Sequence, residues 1–286
     1  MSSIRNKPKV GVIIGSGSVK STAAIGLFQV LAREGIDVDM IVGTSGGAVV
    51  GASIALGPSL KDASHRIHNN WTKEVMTEFD YRAILQITMS RIFEFTSDFS
   101  IFGDTRIMEN LRSHFGDLTF ADLSLPLYMV ATDATSGKPV VLSEGDIVNS
   151  IRASMGIPII FGATEIDGQW LLDGGISNPL PVDVAIKEHC DIIIAIGFHS
   201  PVLQKASNFQ QHISHILTIM ENNLTRSQFA FQNIAHHAEL IPMLMSFDFP
   251  VGIFDTELIP QIIDAGRVEA EKHVPYVKRV MEQWRS

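Results

Sequence analysis

Short apolar runs, separated by turn residues and longer amphipathic stretches, set the plan of this chain. Val10–Ile14 (VGVII), residues 126–132 (PLYMVAT) and residues 192–197 are rich in β-formers and lack polar alternation. That is the pattern of strands covered on both faces, as in a parallel sheet. Residues 36–56 (IDVDMIVGTSGGAVVGASIAL) read as a buried strand, a tight turn and a helix made almost wholly of small or apolar residues. Gly57-Pro58 should stop that helix, with glycine as its C-terminal cap. The stretch GSGSVKSTAAIG (15–26) reads as a glycine-rich turn, followed by a helix that ends at Arg33-Glu34-Gly35. Further helices are expected over 60–79, 105–115, from 147, from NPLPVDVAIK, over 209–237 and over 255–284. Ser136–Pro139 reads as a turn into Val140–Leu142, and EIDGQWLLDGG as a hairpin turning at Asp167-Gly168. A last strand is expected near 240–244. Strands alternating with helices predict an α/β fold around a mostly parallel sheet.

Composition narrows this picture. The chain has 286 residues, 45% of them hydrophobic, and a formal net charge of −9. An acidic chain is a poor partner for nucleic acid, or for adsorption to anionic lipid by charge alone. The one cysteine, Cys190, excludes an intramolecular disulfide and fits a reducing compartment. The five-residue run VGVII after the basic start is too short for a signal core or a membrane span. The expectation is a cytoplasmic protein. No repeat or low-complexity linker divides the sequence, so a single domain over 1–286 is expected.

The candidate chemistry gathers in three places. Gly43-Thr44-Ser45-Gly46-Gly47 is a G-x-S-x-G turn between a strand and a helix, the setting that presents a nucleophilic serine; Gly43 and Gly47 are its small flanks. The glycine-rich turn beginning at Gly15 and Gly17 allows two readings, a phosphate loop or an oxyanion hole. The third glycine of a G-x-G-x-x-G loop is missing, which favours the oxyanion hole. Asp173, before Gly174-Gly175, is either a turn residue or an acid at a strand end, where doubly wound sheets place their chemistry. Residues 84–102 hold Phe93, Phe95, Phe99 and Phe102, which either pack the core or wall an acyl-chain tunnel or lid. His65 and His68 read as lying on a solvated or half-buried helix face, and His212, His215, His236 and His237 lack a convincing metal pattern and read as structural.

GSGSVKS with Lys20, GTSGG with Ser45, and DGG with Asp173, in this order and spacing, resemble the patatin-like phospholipases. Looser matches are FGDTRIMENL, TFADLSLPLYMVATDATSGKPVVL, SIRASMGIPIIF and NPLPVDVAIK. The likeness covers about residues 8 to 200 and fades across 201–286 to the closing helix IIDAGRVEAEKH. It implies a modified α/β-hydrolase fold in three α/β/α layers, and no cofactor. It implies a Ser–Asp dyad of Ser45 and Asp173, with an oxyanion hole built at Gly15, Gly17, Ser18 and Lys20. Its substrates would be lipid or long-chain acyl esters, which leaves room for peripheral membrane contact. This chain departs from the family's G-G-G-x-[KR]-G loop by carrying Ser16, Ser18 and Ser21 in place of glycines. Serine at positive φ would be strained by about 1–2 kcal/mol. The alternatives are an ordinary triad of Ser45, Asp173 and a later histidine such as His199, or a homologue that binds lipid or a regulatory partner without effective catalysis.

Overall fold

The computed structural model describes residues 7–57, 59–70, 99–199, 209–232, 238–253 and 255–284. Eight strands among them form one sheet: β1 Val10–Ile14, β2 Met40–Thr44, β3 Leu127–Asp133, β4 Pro139–Leu142, β5 Thr164–Ile166, β6 Gln169–Asp173, β7 Ile192–Phe198 and β8 Glu239–Met245. Their order is β5-β6-β3-β2-β1-β7-β8, with β4 also paired to β3. The five strands from β3 to β8 run parallel, and β4, β5 and β6 form the antiparallel margin. The eight helices described are α1 Ala23–Arg33, α2 Gly46–Ala55, α3 Leu60–Asn70, α4 Thr105–Phe115, α5 Ile147–Ser154, α6 Val182–Lys187, α7 Phe209–Gln232 and α8 Ile259–Gln283.

The central strands are buried along their whole length because their two side-chain faces meet different layers. Val10, Val12 and Ile14 share a core with Ile192, Ile194 and Ile196 and with apolar residues of α1 to α5 and α8. Ile13, Met40, Val42, Ile193 and Ala195 face the opposite way, onto Leu180 and residues of α6. The runs without alternation are strands covered on both faces, and the layers are the three α/β/α layers that the resemblance implies.

Several local expectations change. Residues 18–22 form a 3₁₀ turn and α1 begins at Ala23, so Gly26 is a helix residue rather than part of the loop. A Cβ there would lie 2.1 Å from the Ile263 carbonyl oxygen, and one on Gly266 would lie 2.0 Å from that of Ala23. The two glycines let α1 and α8 cross backbone to backbone. Helix α2 ends at Ala55 with Leu56 in right-handed helical geometry; Gly57 has no positive φ and is not a left-handed cap. Phe93, Phe95 and the end of the 60–79 helix lie outside the described residues. Phe99 is half-buried, while Phe102 is buried with its ring centroid 6.2 Å from that of Phe161, so it belongs to the core.

Candidate active site

The sheet register brings Ser45 and Asp173 together. Thr44, the last residue of β2, pairs with Val130 of β3, and the neighbouring Ala131 pairs with Asp173 at the end of β6. The residue after Thr44 therefore stands at the height of Asp173, with β3 between their strands. Strand β6 is antiparallel to β3, so Asp173 reaches the site through this register. The sequence expectation puts Asp173 at the end of the second strand of a hairpin, and the structure has it as the last residue of β6, antiparallel to β5.

Ser45 is the residue between β2 and α2, held at φ 56 and ψ −121. That is a sparsely populated backbone for a residue with a Cβ, and such strain persists only when surrounding contacts enforce it. Here they do. The Ser45 amide donates to Ser154 Oγ at 2.9 Å, and the Ser154 hydroxyl donates to the Val130 carbonyl at 2.6 Å. A Cβ on Gly47 would meet the Ile14 carbonyl oxygen at 2.1 Å, so only glycine lets α2 close onto β1. Ser154 escaped the sequence reading. Its only signal is a polar residue on the buried side of α5, which carries no chemistry of its own.

The Ser45 hydroxyl donates to Asp173 Oδ2 at 2.7 Å, and the Gly175 amide donates to Asp173 Oδ1 at 2.7 Å. Both side chains are buried, Ser45 at 5% exposure and Asp173 at 4%. The main chain of Asp173 is fixed as well, its amide on the Gly156 carbonyl and its carbonyl under the Thr132 hydroxyl. Loss of water around the carboxyl pushes its pKa from 3.8 up to about 7, aided by the charge of Glu221. The hydrogen bonds from Ser45 and Gly175 and the Arg152 guanidinium oppose that rise. Burial wins because an ionised carboxylate loses more hydration than two donors restore.

The glycine-rich loop follows β1 at the same sheet edge as the Ser45 turn, as expected for adjacent parallel strands. Its four candidate residues play different parts. The Gly15 amide donates to Ile196 O at 2.9 Å and the Lys20 amide to Gly17 O at 3.0 Å, so neither is available to an oxyanion. Among the described residues no backbone carbonyl takes the amides of Gly17, Ser18 or Gly46. Gly46 begins α2, where the helix dipole favours negative charge, and it lies against Ser18, whose carbonyl oxygen is 2.3 Å from where its Cβ would be. Of the three serines that stand for glycine, only Ser18 adopts positive φ, at 50°. Its hydroxyl donates to the Ile253 carbonyl at 2.5 Å, which holds it there. Ser16 and Ser21 carry none of the expected strain.

No histidine reaches this pair among the described residues. His199 follows β7 on the surface, its amide on the Met245 carbonyl, and His189 sits exposed in the turn after α6. Among the described residues no cluster of His, Cys, Asp and Glu could hold a metal ion. No helix there is long and apolar enough to cross a membrane. Cys190 is buried beside Met40, and burial pushes its thiol up to about 11, which keeps it unreactive at neutral pH.

A model of the patatin-like phospholipase family matches residues 12–186, which span the loop, the Ser45 turn and Asp173. The chain belongs to the patatin-like phospholipase family. An uncharacterized NTE family protein of Mycobacterium tuberculosis is 32% identical over 209 residues, covering 73% of this chain and 54% of that protein. Patatin-like phospholipase domain-containing protein 7 of Mus musculus is 32% identical over 210 residues, covering 72% of this chain and 15% of the mouse protein. The chain thus spans about half of the mycobacterial relative and a small part of the mouse one. Among solved structures, VipD of Legionella pneumophila superposes with a TM-score of 0.49 at 13% identity, over 94% of this chain and 66% of that one.

Proposed function

We propose that this protein is a serine acyl hydrolase that cleaves carboxylic esters of lipids through a dyad of Ser45 and Asp173. The observation that carries the proposal is the 2.7 Å hydrogen bond from a strained, buried serine hydroxyl to a buried carboxylate. A serine hydroxyl is a poor nucleophile until a positioned base takes its proton, and a carboxyl with pKa near 7 is matched to that task at neutral pH. Ser45 Oγ attacks the ester carbonyl carbon as Asp173 Oδ2 accepts its proton. The Gly17, Ser18 and Gly46 amides then hold the oxyanion. Collapse expels the alcohol, which takes the proton from Asp173, and leaves an acyl group on Ser45. Water then attacks the acyl group as Asp173 accepts its proton, the bond to Ser45 Oγ breaks with that proton returned to Oγ, and the fatty acid leaves. The lipid class rests on the family and on relatives named as phospholipases and as neuropathy target esterase. Phe93, Phe95 and Phe99 stay as proposed walls for the acyl chain.

The test is release of fatty acid from phospholipids, lysophospholipids and acylglycerols in mixed micelles, by the wild type and by Ser45→Ala. Release from at least one class, lost in the variant, is the expected result. Equal activity in both proteins, or none toward any ester, would contradict the proposal.

Two further outcomes follow from the geometry. Because the base works only when ionised, kcat/KM should rise with pH through a limb near 7, well above an ordinary carboxylate at 3.8. A limb near 4 would show that the carboxyl is solvated during turnover. Ser18→Gly should keep or raise activity, since it relieves positive φ. Ser18→Pro deletes an oxyanion donor and should cost about 3 kcal/mol of transition-state stabilisation, roughly a hundredfold in rate. Full activity in a folded proline variant would remove that amide from the hole.

A further inference from the structure

The end of α5 holds the backbone of both members of the pair. Ser154, its last residue, takes the Ser45 amide, and two residues further on the Gly156 carbonyl takes the Asp173 amide at 2.9 Å. Arg152, two residues before Ser154, is 1% exposed, and its guanidinium sits inside the loop formed by residues 155–163. Its Nη2 donates to the Gly162 carbonyl at 2.9 Å and to Asp104 Oδ1 at 2.6 Å, and its Nε donates to the same carboxylate oxygen at 3.1 Å. Its Cζ lies 5.7 Å from the centroid of the Phe161 ring. A Cβ on Gly156 would lie 3.1 Å from Arg152 Nη1 and 3.3 Å from the Gly162 carbonyl oxygen. The guanidinium therefore touches the loop at both ends. Asp104 stands at the N-terminus of α4, yet its side chain caps no amide of that helix and goes to Arg152 instead. The loop also holds Ile159 at φ 71, a backbone that a β-branched residue keeps only under outside constraint. Residues just before Asp104 supply it: the Ile101 amide donates to the Ile159 carbonyl at 2.8 Å and the Phe102 amide to that of Ile160 at 3.1 Å.

We propose that Arg152 is a positioning residue for the hydrolysis: by locking residues 156–162 to Asp104 it fixes the Gly156 carbonyl that carries the Asp173 main chain, and so sets the separation of the Asp173 carboxyl from the Ser45 hydroxyl. The inference rests on the function proposed above. Ser45 is hung on α5 through its amide, and Asp173 is hung on the loop that leaves α5. Any slack in that loop moves the base relative to the nucleophile, and proton transfer across 2.7 Å tolerates little movement. A buried ion pair adds little net stability, because the hydration lost offsets the attraction gained. What the pair with Asp104 supplies is geometry. Arginine suits the place because one planar fork can hold the Asp104 carboxylate and the Gly162 carbonyl together, which a lysine ammonium cannot do in the same fixed arrangement.

The test compares full-length wild type, Arg152→Lys and Asp104→Asn on a short p-nitrophenyl ester, with kcat expressed per serine titrated to completion by a fluorophosphonate. In Arg152→Lys the charge stays and the fork is lost, so kcat per titrated serine should fall about ten- to a hundredfold with KM within about twofold of the wild type. Asp104→Asn loosens the same anchor from its half-exposed end, and kcat per titrated serine should fall severalfold. A structural role alone would lower Tm and the fraction of protein that can be titrated, while each titrated serine turned over at the wild-type rate. Wild-type kcat per titrated serine in folded Arg152→Lys, or a raised KM with kcat unchanged, overturns the proposal. If Arg152→Lys does not fold, Asp104→Asn decides alone by the same readout. Failure of the hydrolase reading looks different: the wild type itself would then turn over no ester and titrate at no serine.

Discussion

Ser45→Ala is expected to lower kcat on short p-nitrophenyl esters by about five to six orders of magnitude while the protein stays folded. Removing the nucleophile of a covalent mechanism leaves only binding and the oxyanion donors. The fold should persist because the Ser154 contact that pins the turn is made to the backbone amide of Ser45, which alanine keeps. The side chain lost is small, and its hydrogen-bond partner among the described residues is Asp173. Steady-state kinetics with a circular dichroism check decide the matter. A folded variant that keeps more than about a tenth of the wild-type kcat would show that another group attacks the ester.

Asp173→Asn is expected to lower kcat by about four orders of magnitude with KM little changed, because asparagine keeps the shape and loses the base. Its carbonyl can still accept from the Gly175 amide, and its NH₂ can donate to the Ser45 hydroxyl. His199→Gln and His189→Gln should be nearly silent; a collapse in either would restore the triad alternative. The same substitution should raise stability in alkali. Asp173 holds its proton more tightly in the folded protein, with a pKa near 7, than in the unfolded chain, where 3.8 is the ordinary value. The stability that comes from this protonation is complete below about pH 4 and is lost as pH rises through 7. Asparagine carries no charge at any pH. Its advantage in Tm over the wild type should therefore grow from about pH 4 and be fully developed above pH 7, so thermal melts should show a larger difference at pH 8.5 than at pH 5. Equal Tm differences at both pH values would mean that the buried carboxylate carries no such strain.

The strands were legible because burial on two faces writes itself into composition. VGVII, MIVGT and IIIAIGF cannot be amphipathic helices of useful length, and each became a central strand. The Ser45 turn was legible for a steric reason, since strand and helix can close on so short a turn only through glycines such as Gly47. The hairpin at Asp167-Gly168 carries the expected pair of positive φ angles, 51° and 77°. What escaped depends on pairing across long sequence separations. Nothing local to Ser154 says that it will receive the Ser45 amide from 109 residues away. Nothing local to Gly15 says that its amide is spent on Ile196 across the sheet. Gly26 and Gly266 read as a loop residue and an unremarked helix residue until α1 and α8 cross on them.

The central claim is that the buried carboxylate of Asp173 activates Ser45 without a histidine, and covalent labelling tests it most directly. A fluorophosphonate reacts with an activated serine and not with an idle one. Wild type, Asp173→Asn and His199→Gln would each be treated at pH 8, digested, and the adduct located by mass spectrometry. The account predicts one adduct, on the peptide carrying Ser45, at full rate in His199→Gln and at a rate lowered by orders of magnitude in Asp173→Asn. Labelling of Ser45 that is as fast in Asp173→Asn as in the wild type would contradict it.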